Sequence, residues 1–384
     1  GHDLDVAGHQ IVECERAVLA RPRAAMPHIG PIAELDRCTG HWLARGIADA
    51  ATQRGAAAQH DANLVVAPDE EFDLLPHRSV PHRRHGERHS HHICIFGGAT
   101  IVPIFEDAAH AVADALEAIG LRPTMAANEF LREGTNYIFG AHTITAPAVI
   151  AALPMSSVIV NSEPFAQSHQ VDIAWNTLAQ AINGRHVWDY SIRNLSAMDR
   201  FGVRPRTQSW VPLGYAERLR RVARTVDRDI DVLFYGSLNH RRMHVLQQCD
   251  ERGLRVHAAG QSCFGEGRDA LLGRSKLLLN IGLVENSVFE QYRVFYALTN
   301  GVPVVTEMAA GEQLGLVYEQ GLAIEGYGGL AQRCEALVRD AEKRSALEAR
   351  AIQAARSIDT TARIREALAR HRESTSGVAS SGLV

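Results

Sequence analysis

The sequence predicts an α/β protein in which an atypical N-terminal segment precedes two parallel sheets, each covered by helices. Three observations predict this fold class. Short apolar strand-like runs alternate with helical segments from residue 93 to residue 215, and a second such series begins at residue 229. A basic, polar stretch at residues 216–228 separates the two series. With 384 residues, the chain also exceeds the length of one ordinary domain.

The composition is that of a globular protein and narrows the function classes. Hydrophobic residues make up 46% and charged residues 22% of the chain, and the formal net charge of −4 provides no general attraction to nucleic acid. No apolar run reaches the length of a membrane span. The six cysteines are isolated, and the first residues lack the pattern of a secretory signal, so we expect a cytoplasmic protein.

Residues 1–92 differ in character from the rest of the chain. Eleven of the 19 histidines lie in this His- and Ala-rich segment, and only Asn63-Leu-Val-Val-Ala has the character of a strand. A His-rich tract can bind a metal ion. These histidines show no fixed spacing beside acidic residues, however. We therefore expect a solvated linker without a catalytic role.

The first alternating series predicts six parallel strands. Its strands are short runs rich in β-branched residues, and its longest helix has Ala and Leu on one face and acidic residues on the other. Right-handed crossovers bring the carboxyl ends of such strands to one edge, where the functional loops lie. The predicted strands are 93–96, 123–126, 136–140, 157–163, 186–191 and 209–215, and the predicted helices are 105–119, 147–152, 173–182 and 193–201.

The second series predicts a similar domain. Its strands are expected at 231–235, 254–258, 276–281 and 302–306, and its helices at 239–251, 267–273 and 287–300. Helices rich in Ala, Arg and Glu follow at 329–371, and the Ser/Gly-rich end from Ser374 to Val384 is expected to be disordered. We therefore divide the chain into an N-terminal segment (1–92), a first Rossmann-like domain (93–215), a linker (216–228), a second Rossmann-like domain (229–345) and a C-terminal helix with its tail (346–384).

A glycine turn ends the first strand of the second series. Gly236 and Ser237 allow a sharp turn, and the next helix has Arg241 and Arg242 on its first turns. A glycine turn at the carboxyl end of a strand, with helix amides and cations beside it, suits a diphosphate. The planar fork of arginine binds two phosphate oxygens at once. The alternative is that both arginines are solvated helix cations.

Several motifs resemble the donor half of GT-B glycosyltransferases, notably those of bacteria in families 1 and 4. These motifs are Tyr235-Gly-Ser-Leu-Asn-His-Arg-Arg, Leu278-Leu-Asn, Phe289-Glu-x-x-Arg and Ala297-Leu-x-x-Gly-x-Pro-Val-Val-x-Glu. The similarity covers about residues 93–310, with the first-domain landmarks Asn136-Tyr-Ile-Phe-Gly-Ala-His, Val158-Ile-Val-Asn-Ser-Glu, Trp188-Asp-Tyr-Ser-x-x-Asn and Val211-Pro-Leu-Gly-Tyr. The resemblance implies two Rossmann-like domains that face each other across a cleft, the first for the acceptor and the second for the nucleotide-sugar donor.

The resemblance also implies roles for two residues of the second domain. It places Glu290 on the ribose hydroxyls of the donor and Arg293 near the phosphates. The two residues lie three apart on a predicted helix and share a face, so an ordinary ion pair is the alternative. Retaining members of the group have two glutamates eight residues apart. Those positions are Val288 and Tyr296 in this chain, which weakens any transfer of the retaining mechanism.

Two residues of the first domain are candidate general bases. His142 and Glu163 each follow a strand, and a neutral imidazole or a carboxylate at a strand end could deprotonate an acceptor hydroxyl. The alternative for His142 is a hydrogen-bonded loop residue. Further acceptor-side residues are expected at the cleft, where they could also serve only as turns or caps: Gly97, Gly98, Asp189 and Tyr190.

The sequence therefore predicts a hexosyltransferase-like glycosyltransferase that moves a sugar from a nucleotide-diphosphate donor to an acceptor hydroxyl on a glycan, a protein or a metabolite. The candidate site contains no Asp-x-Asp, and the resemblance implies side chains and helix dipoles at the leaving group, so we expect neither a metal nor a cofactor. Three alternatives remain: a nucleotide-sugar epimerase, a pseudo-glycosyltransferase and a non-catalytic ligand-binding α/β protein.

Overall fold

The computed structural model describes residues 64–66, 90–165, 173–260 and 262–380. Of residues 1–92 only 64–66 and 90–92 are described, so the expected solvated linker lies outside these ranges, and the strand expected around residues 63–67 lies partly inside them. A strand, β1, is present there at Leu64–Val66 and pairs antiparallel with a strand of the first domain, β4, at Glu129–Leu131. Within the described ranges, every helix is too short or too polar to span a lipid bilayer.

The first domain is built on a six-stranded sheet in which every pairing is parallel. The spatial order is β3-β2-β5-β6-β7-β8. The central strands are buried along their whole length, which explains their apolar composition. Its elements are β2 (His91–Ile95), α1 (Val102–Ala118), β3 (Thr124–Ala127), β5 (Thr135–Phe139), α2 (Pro147–Ala152), β6 (Val158–Asn161), α3 (Ile173–Ile182), β7 (His186–Asp189), α4 (Ile192–Met198) and β8 (Thr207–Trp210).

The second domain has a five-stranded parallel sheet in the order β10-β9-β11-β12-β13. Its elements are β9 (Ile230–Tyr235), α5 (His240–Glu251), β10 (Val256–Ala259), α6 (Gly265–Arg274), β11 (Ser275–Asn280), α7 (Gln291–Thr299), β12 (Val304–Thr306), α8 (Leu316–Gln320) and β13 (Leu322–Ile324). Three helices follow: α9 (Leu330–Arg339), α10 (Ala341–Arg356) and α11 (Thr360–Ser380). The two sheets confirm the predicted fold class.

Three expectations from the sequence differ from the structure. The strands β4 and β13 were not predicted, because runs of three residues give no periodicity that distinguishes strand from loop. The helix expected from residue 287 begins at Gln291, since Glu290 has a non-helical backbone at φ −76° and ψ 71°. Helix α11 continues to Ser380, although disorder was expected from Ser374 onward. The carbonyl of Ser374 accepts a hydrogen bond from Arg206 Nη2 at 2.8 Å, which ties this part of the helix to the first domain.

The C-terminal helix α11 crosses back from the second domain and packs against the first. The His371 ring on α11 stacks on the His186 ring of β7, with ring centroids 3.9 Å apart. Trp188 Nε1 donates to His371 Nε2 at 3.3 Å. At the start of α11, the Thr360 hydroxyl accepts from the backbone N–H of Gly214 at 2.9 Å. The end of the chain thereby joins the two domains.

A network of ion pairs holds the two domains against each other. Asp107 on α1 accepts from Arg268 Nη1 of α6 at 2.6 Å and from Arg221 Nη2 of the linker at 2.8 Å. Arg268 lies over the Tyr296 ring at 3.6 Å, and the Tyr296 hydroxyl donates to Asp269 at 2.6 Å. Apolar side chains of both sheets also belong to one continuous core. Tyr296 is therefore a buried residue at the contact between the two domains.

Acid pH is expected to weaken the docking of α11. Burial lowers the pKa of His371 to about 3 and that of His186 to about 4, whereas an unfolded histidine titrates near about 6.5. Below that pH the unfolded chain binds protons that the folded chain excludes. The stability present at neutral pH is therefore lost progressively as the pH falls toward about 4.

This loss can be measured by calorimetric melting at about pH 7.5 and about pH 5. His371→Phe keeps a ring against His186 but cannot titrate, so its melting temperature should fall less between the two conditions than that of the unchanged protein. His240→Phe, at an exposed histidine on α5, is the matched control and should fall as much as the unchanged protein. An equal fall in all three proteins would contradict the assignment.

Candidate functional site

The carboxyl ends of three adjacent strands in the second sheet form one half of the candidate site. Strands β9, β11 and β12 are neighbours and end at Tyr235, Asn280 and Thr306. The loops after them contain the predicted Gly236-Ser237 turn, Ile281-Gly282 and Glu307. Parallel strands place all three loops on one edge, so residues from distant parts of the chain meet there.

Gly236 is required at its position by conformation and by space. Its φ of +126° lies in the region that side chains rarely adopt. A Cβ added there would lie 2.7 Å from Nη2 of Arg293. Any side chain at this position would therefore both strain the turn and displace Arg293.

Arg242 is a buried cation that joins the loops of this edge. Its backbone N–H donates to the side chain of Asn239, the N-cap of α5, at 3.0 Å. Its guanidinium donates to the carbonyls of Ile281 at 2.9 Å and Ser237 at 2.8 Å, and it pairs with the Glu290 carboxylate. The side chain is only 3% exposed, so the alternative of a solvated helix cation is wrong for Arg242. Burial lowers its pKa to about 10, and it stays protonated at neutral pH.

Arg241 points to a different part of the same edge. Both of its terminal nitrogens donate to the two oxygens of Glu307, a bidentate pair. The Glu307 hydrogen bonds raise the pKa of Arg241. The guanidinium also lies 4.0 Å from the centre of the Tyr327 ring, and the Tyr327 hydroxyl donates to the Arg241 carbonyl at 2.9 Å. Glu307 accepts from the Gly282 N–H at 2.7 Å as well.

Arg293 and Glu290 complete the half-site. Arg293 Nη1 donates to the Asn280 side chain at 2.6 Å and pairs with Glu290 across one turn. Glu290 therefore contacts two arginines, one with each carboxylate oxygen. Three arginines and two glutamates leave one net positive charge at this edge (three minus two). The ion pair between Glu290 and Arg293, which was the alternative to a role at the donor, is present and is part of a larger cluster.

His142 and Glu163 lie side by side at the carboxyl edge of the first sheet. Gly140, with φ +69°, ends β5, and His142 occupies the 3₁₀ turn that follows. Glu163 lies two residues beyond the end of β6. His142 Nδ1 is 3.5 Å from Glu163 Oε1, and the two side chains are 11% and 36% exposed. The structure therefore brings the two candidate bases together as one pair.

Asp189 is a fully buried carboxylate at the end of β7 that organises the Glu163 loop. It accepts from Asn161 Nδ2 at 2.6 Å, from the Ser191 N–H at 2.8 Å and from Asn194 Nδ2 at 3.1 Å. The same two asparagine amides donate to the Glu163 carbonyl. Burial raises the pKa of Asp189 to about 7, and the three N–H donors oppose that shift. Asp189 acts on the site by holding its neighbours in place.

Gly97 and Gly98 form the loop between β2 and α1 at the same edge. The Gly97 N–H donates to the Asn128 side chain at 3.1 Å, and the Asn128 amide donates back to the Gly97 carbonyl at 3.0 Å. The Gly98 carbonyl accepts from the N–H groups of Ile101 and Val102, which begin the helix. A Cβ at Gly97 would lie 2.5 Å from Ile101 Cγ2. Gly97 is therefore tightly packed against the start of α1.

An aromatic seam connects the two half-sites. The Phe105 ring of α1 contacts the His142 ring edge to face, with centroids 6.0 Å apart. Phe105 also contacts Tyr292 at 6.5 Å, and Tyr292 contacts Tyr190 at 5.6 Å. Tyr292 precedes Arg293 on α7 and belongs to the second domain. The imidazole of His142 is thus separated from α7 by one aromatic ring.

A second contact between the domains lies on the same side. Arg193 on α4 pairs with Glu312, which follows β12, at 2.9 Å. Its other nitrogen donates to the Asn286 carbonyl at 3.2 Å, and the Glu312 carboxylate accepts from the Phe289 N–H at 3.0 Å. These bonds join the loops after β11 and β12 to the first domain.

Sequence reasoning missed several of these residues. Asn280 and Glu307 belong to motifs named in the sequence analysis, but no role was assigned to them there. Their positions at the ends of predicted strands could have identified them as site residues. Tyr292, Tyr327 and Glu312 gave no such signal, because their importance depends on contacts with distant elements. Within the described residues, His, Cys, Asp and Glu side chains form no group of three that could hold a metal ion.

Comparison with known proteins gives similarities at low identity. No family model matches the chain. Uncharacterized protein L140 of Acanthamoeba polyphaga mimivirus is 27% identical over 157 residues, which are 40% of this chain and 49% of the viral protein. Uncharacterized protein L137 of the same virus is 24% identical over 159 residues, 40% and 21% of the two chains. The chain thus spans half or less of the length of these relatives, and their viral source does not support the predicted bacterial affiliation.

Three solved structures have a similar course of the chain at 10–15% identity. Anabaena Alr3699/HepE in complex with UDP and glucose has a TM-score of 0.48 and 15% identity, over 73% of this chain and 99% of that one. Sucrose-phosphate synthase from Thermosynechococcus elongatus has a TM-score of 0.48 and 11% identity, over 74% and 100%. TarM has a TM-score of 0.45 and 10% identity, over 71% and 58%.

The raised pKa of Asp189 predicts a pH-dependent part of the stability. An unfolded aspartate loses its proton near about pH 3.9, whereas folded Asp189 keeps it up to about pH 7. The folded state therefore binds more protons in this window. Its stability from this group is full below about pH 4 and is lost as the pH rises through about 7.

Asp189→Asn removes this titration while keeping the size of the side chain. We expect its melting temperature to rise relative to that of the unchanged protein as the pH increases from about 4 to about 7, as measured by calorimetry. Asp250→Asn, at an exposed aspartate on α5, should show no such relative change. A constant difference between Asp189→Asn and the unchanged protein would rule out the raised pKa.

Proposed function

We propose that this protein is a glycosyltransferase that moves a hexose-like sugar from a nucleotide-diphosphate donor to an acceptor hydroxyl. One observation supports this proposal above the others. Arg242 and Arg293 meet at the glycine turn of one sheet and Arg241 lies on the same edge, while His142 and Glu163 meet at the facing edge of the other. A cationic phosphate site opposite a proton acceptor is the arrangement that sugar transfer from a nucleotide donor requires.

The second domain would bind the donor and stabilise the leaving group. When the bond between the anomeric carbon and the β-phosphate oxygen breaks, negative charge develops on the diphosphate. Arg242 and Arg293 are held in place before the reaction by carbonyl and amide oxygens. Guanidinium groups fixed in this way stabilise developing charge without reorganising. Glu290 would accept a hydrogen bond from a hydroxyl of the donor.

The first domain would bind the acceptor and remove its proton. In the proposed step the acceptor oxygen forms a bond to the anomeric carbon and its proton passes to the imidazole of His142. Glu163 lies beside Nδ1 of that imidazole and would stabilise the imidazolium that forms. Asp189 would keep Glu163 in position through Asn161 and Asn194. Phe105 and Tyr292 offer aromatic faces between the two half-sites.

We further propose that the reaction needs no metal or cofactor and takes place in the cytoplasm. The positive charges for the diphosphate would come from the arginines, which makes a divalent cation unnecessary at the leaving group. The acceptor is a glycan, a protein or a metabolite. A nucleotide-sugar epimerase is the second candidate, because the donor half-site serves both reactions. The two differ in their need for an acceptor, since an epimerase converts a nucleotide sugar alone.

A panel of nucleoside diphosphates tests the donor site directly. UDP, GDP, dTDP, ADP and CDP are each added to the protein with EDTA, and the melting temperature is recorded. Binding at about 100 times Kd adds about 2.7 kcal/mol to the stability of the folded state. We expect one nucleotide to raise the melting temperature clearly. Arg293→Ala should abolish the increase, because the guanidinium is lost.

Two glycine variants distinguish a local effect on the donor site from a general loss of stability through backbone strain. Gly236→Ala should abolish the nucleotide-induced increase, because its Cβ would collide with Arg293 Nη2. Gly253→Ala is the matched control, since Gly253 also has a positive φ of +75° but nothing lies within 4 Å of an added Cβ. It should lower stability and retain the increase. A panel without any increase in the unchanged protein would refute the donor site.

Variants of the paired bases test the acceptor half-site. Water can replace the acceptor, so the release of nucleoside diphosphate from a nucleotide sugar serves as the assay. General base catalysis contributes about 10²-fold to 10⁴-fold, and we expect His142→Ala to lower kcat by about 10²-fold or more with an unchanged donor affinity. Glu163→Gln should lower kcat less, because it only supports the imidazole. If Glu163→Gln lowered kcat more than His142→Ala does, Glu163 would be the general base and His142 the supporting residue.

A further inference from the structure

The Glu290 carboxylate occupies the space between two arginines that the proposed function assigns to the diphosphate. Its Oε1 pairs with Nη2 of Arg242, and its Oε2 pairs with Nη1 of Arg293. Each oxygen is thus bound by a different guanidinium. Two phosphate oxygens of a diphosphate would use the same donors. Ligand and carboxylate therefore cannot hold both arginines fully at the same time.

The two arginines are anchored without Glu290. Arg242 donates to the Ile281 and Ser237 carbonyls, and Arg293 donates to the Asn280 side chain. These bonds leave both guanidiniums in place when the carboxylate moves. The arginine side chains are 3% and 11% exposed, whereas that of Glu290 is 28% exposed. Glu290 is the most accessible member of the trio and can move toward solvent.

The backbone at Glu290 also leaves its side chain free to change partners. Glu290 precedes the first residue of α7, and its side chain makes no capping hydrogen bond to the helix. Arg293 meanwhile has a buried Nε–H without an acceptor among the described residues. The bonding of Arg293 is therefore incomplete while Glu290 holds it. Glu307 differs, because it is held by both Arg241 and the Gly282 N–H.

We infer that Glu290 is a built-in anion that occupies the diphosphate site of the empty protein and is displaced by the ligand. This inference rests on the proposed function of the same site. A ligand that offers only phosphate oxygens takes over both arginines and leaves the Glu290 carboxylate without a new partner in the complex. A nucleotide sugar offers hydroxyl groups as well, and the displaced carboxylate accepts a hydrogen bond from one of them. Glu290 thereby selects complete donors against inorganic phosphates.

Inorganic pyrophosphate is the probe that tests this selection, because it has the diphosphate group and no hydroxyl of a sugar. Its Kd is measured by titration calorimetry in EDTA at constant ionic strength. We expect Glu290→Gln to bind pyrophosphate about tenfold more tightly than the unchanged protein, the factor that corresponds to one charge-assisted hydrogen bond that need not be broken. The Kd of UDP should improve less, because the carboxylate that accepts from the ribose is lost.

Two further variants control for charge and for folding. Glu285→Gln removes an equal charge from an exposed position in the loop after β11, where it acts on Arg241 only through its field, and should leave the pyrophosphate Kd unchanged. Glu290→Asp keeps the negative charge beside buried Arg242 but is too short to reach both arginines. It should give an intermediate Kd and provides the test if Glu290→Gln does not fold.

The outcomes separate this inference from the proposed function. Unchanged or weaker pyrophosphate binding by Glu290→Gln and Glu290→Asp would overturn the inference, even where the unchanged protein transfers sugar. Tighter pyrophosphate binding by these variants in a protein that turns over no nucleotide sugar would support the inference and refute the glycosyltransferase. The absence of pyrophosphate and UDP binding in every variant would overturn both.

Discussion

The hydrogen bonds of Arg242 are the constraint on which the candidate site depends. A guanidinium that is 3% exposed must find partners for its N–H groups within the protein, because an unpaired buried charge is strongly destabilising. Its partners are the carbonyls after β9 and β11 and the carboxylate before α7. One side chain thus sets the relative positions of three loops. The same bonds place two cations beside the glycine turn, where Gly236 leaves the space that Arg293 occupies.

The relation between the domains follows from a second set of buried charges. Asp107 of α1 pairs with Arg268 of α6 where both side chains are buried, and it also pairs with Arg221 of the linker, which is more exposed. The continuous apolar core and the packing of α11 against the first sheet also hold the domains together. Together they bring the carboxyl edges of both sheets to one cleft. Tyr292 is the clearest consequence, because this residue of α7 packs against Phe105 and Tyr190 of the other domain.

The alternation of apolar runs and helices sufficed to predict both sheets, since strands covered on both faces need continuous apolar residues. It could not predict β4 and β13, which are only three residues long. It also placed the start of α7 too early, and that error concealed the non-helical position of Glu290. The tail was predicted to be disordered from its composition, whereas α11 continues to Ser380 and is bound to the first domain at Ser374. The sequence pattern of a segment indicates its intrinsic preference for helix or strand. In short or amphipathic segments, packing against the rest of the protein can override that preference.

The sequence by itself determined the two Rossmann-like domains, the glycine turn and the arginines after it, because these depend on residue type and spacing along the chain. It named Arg242, Glu290, Arg293, His142 and Glu163 but left their ion pairing and catalysis as alternatives. Only the tertiary structure decided that Glu290 joins two arginines and that His142 and Glu163 form one pair. The physical reason is that burial, hydrogen-bond partners and local charge arise between elements distant in sequence. These properties cannot be read from the order of residues, because they arise only when the strand ends come together in the folded chain.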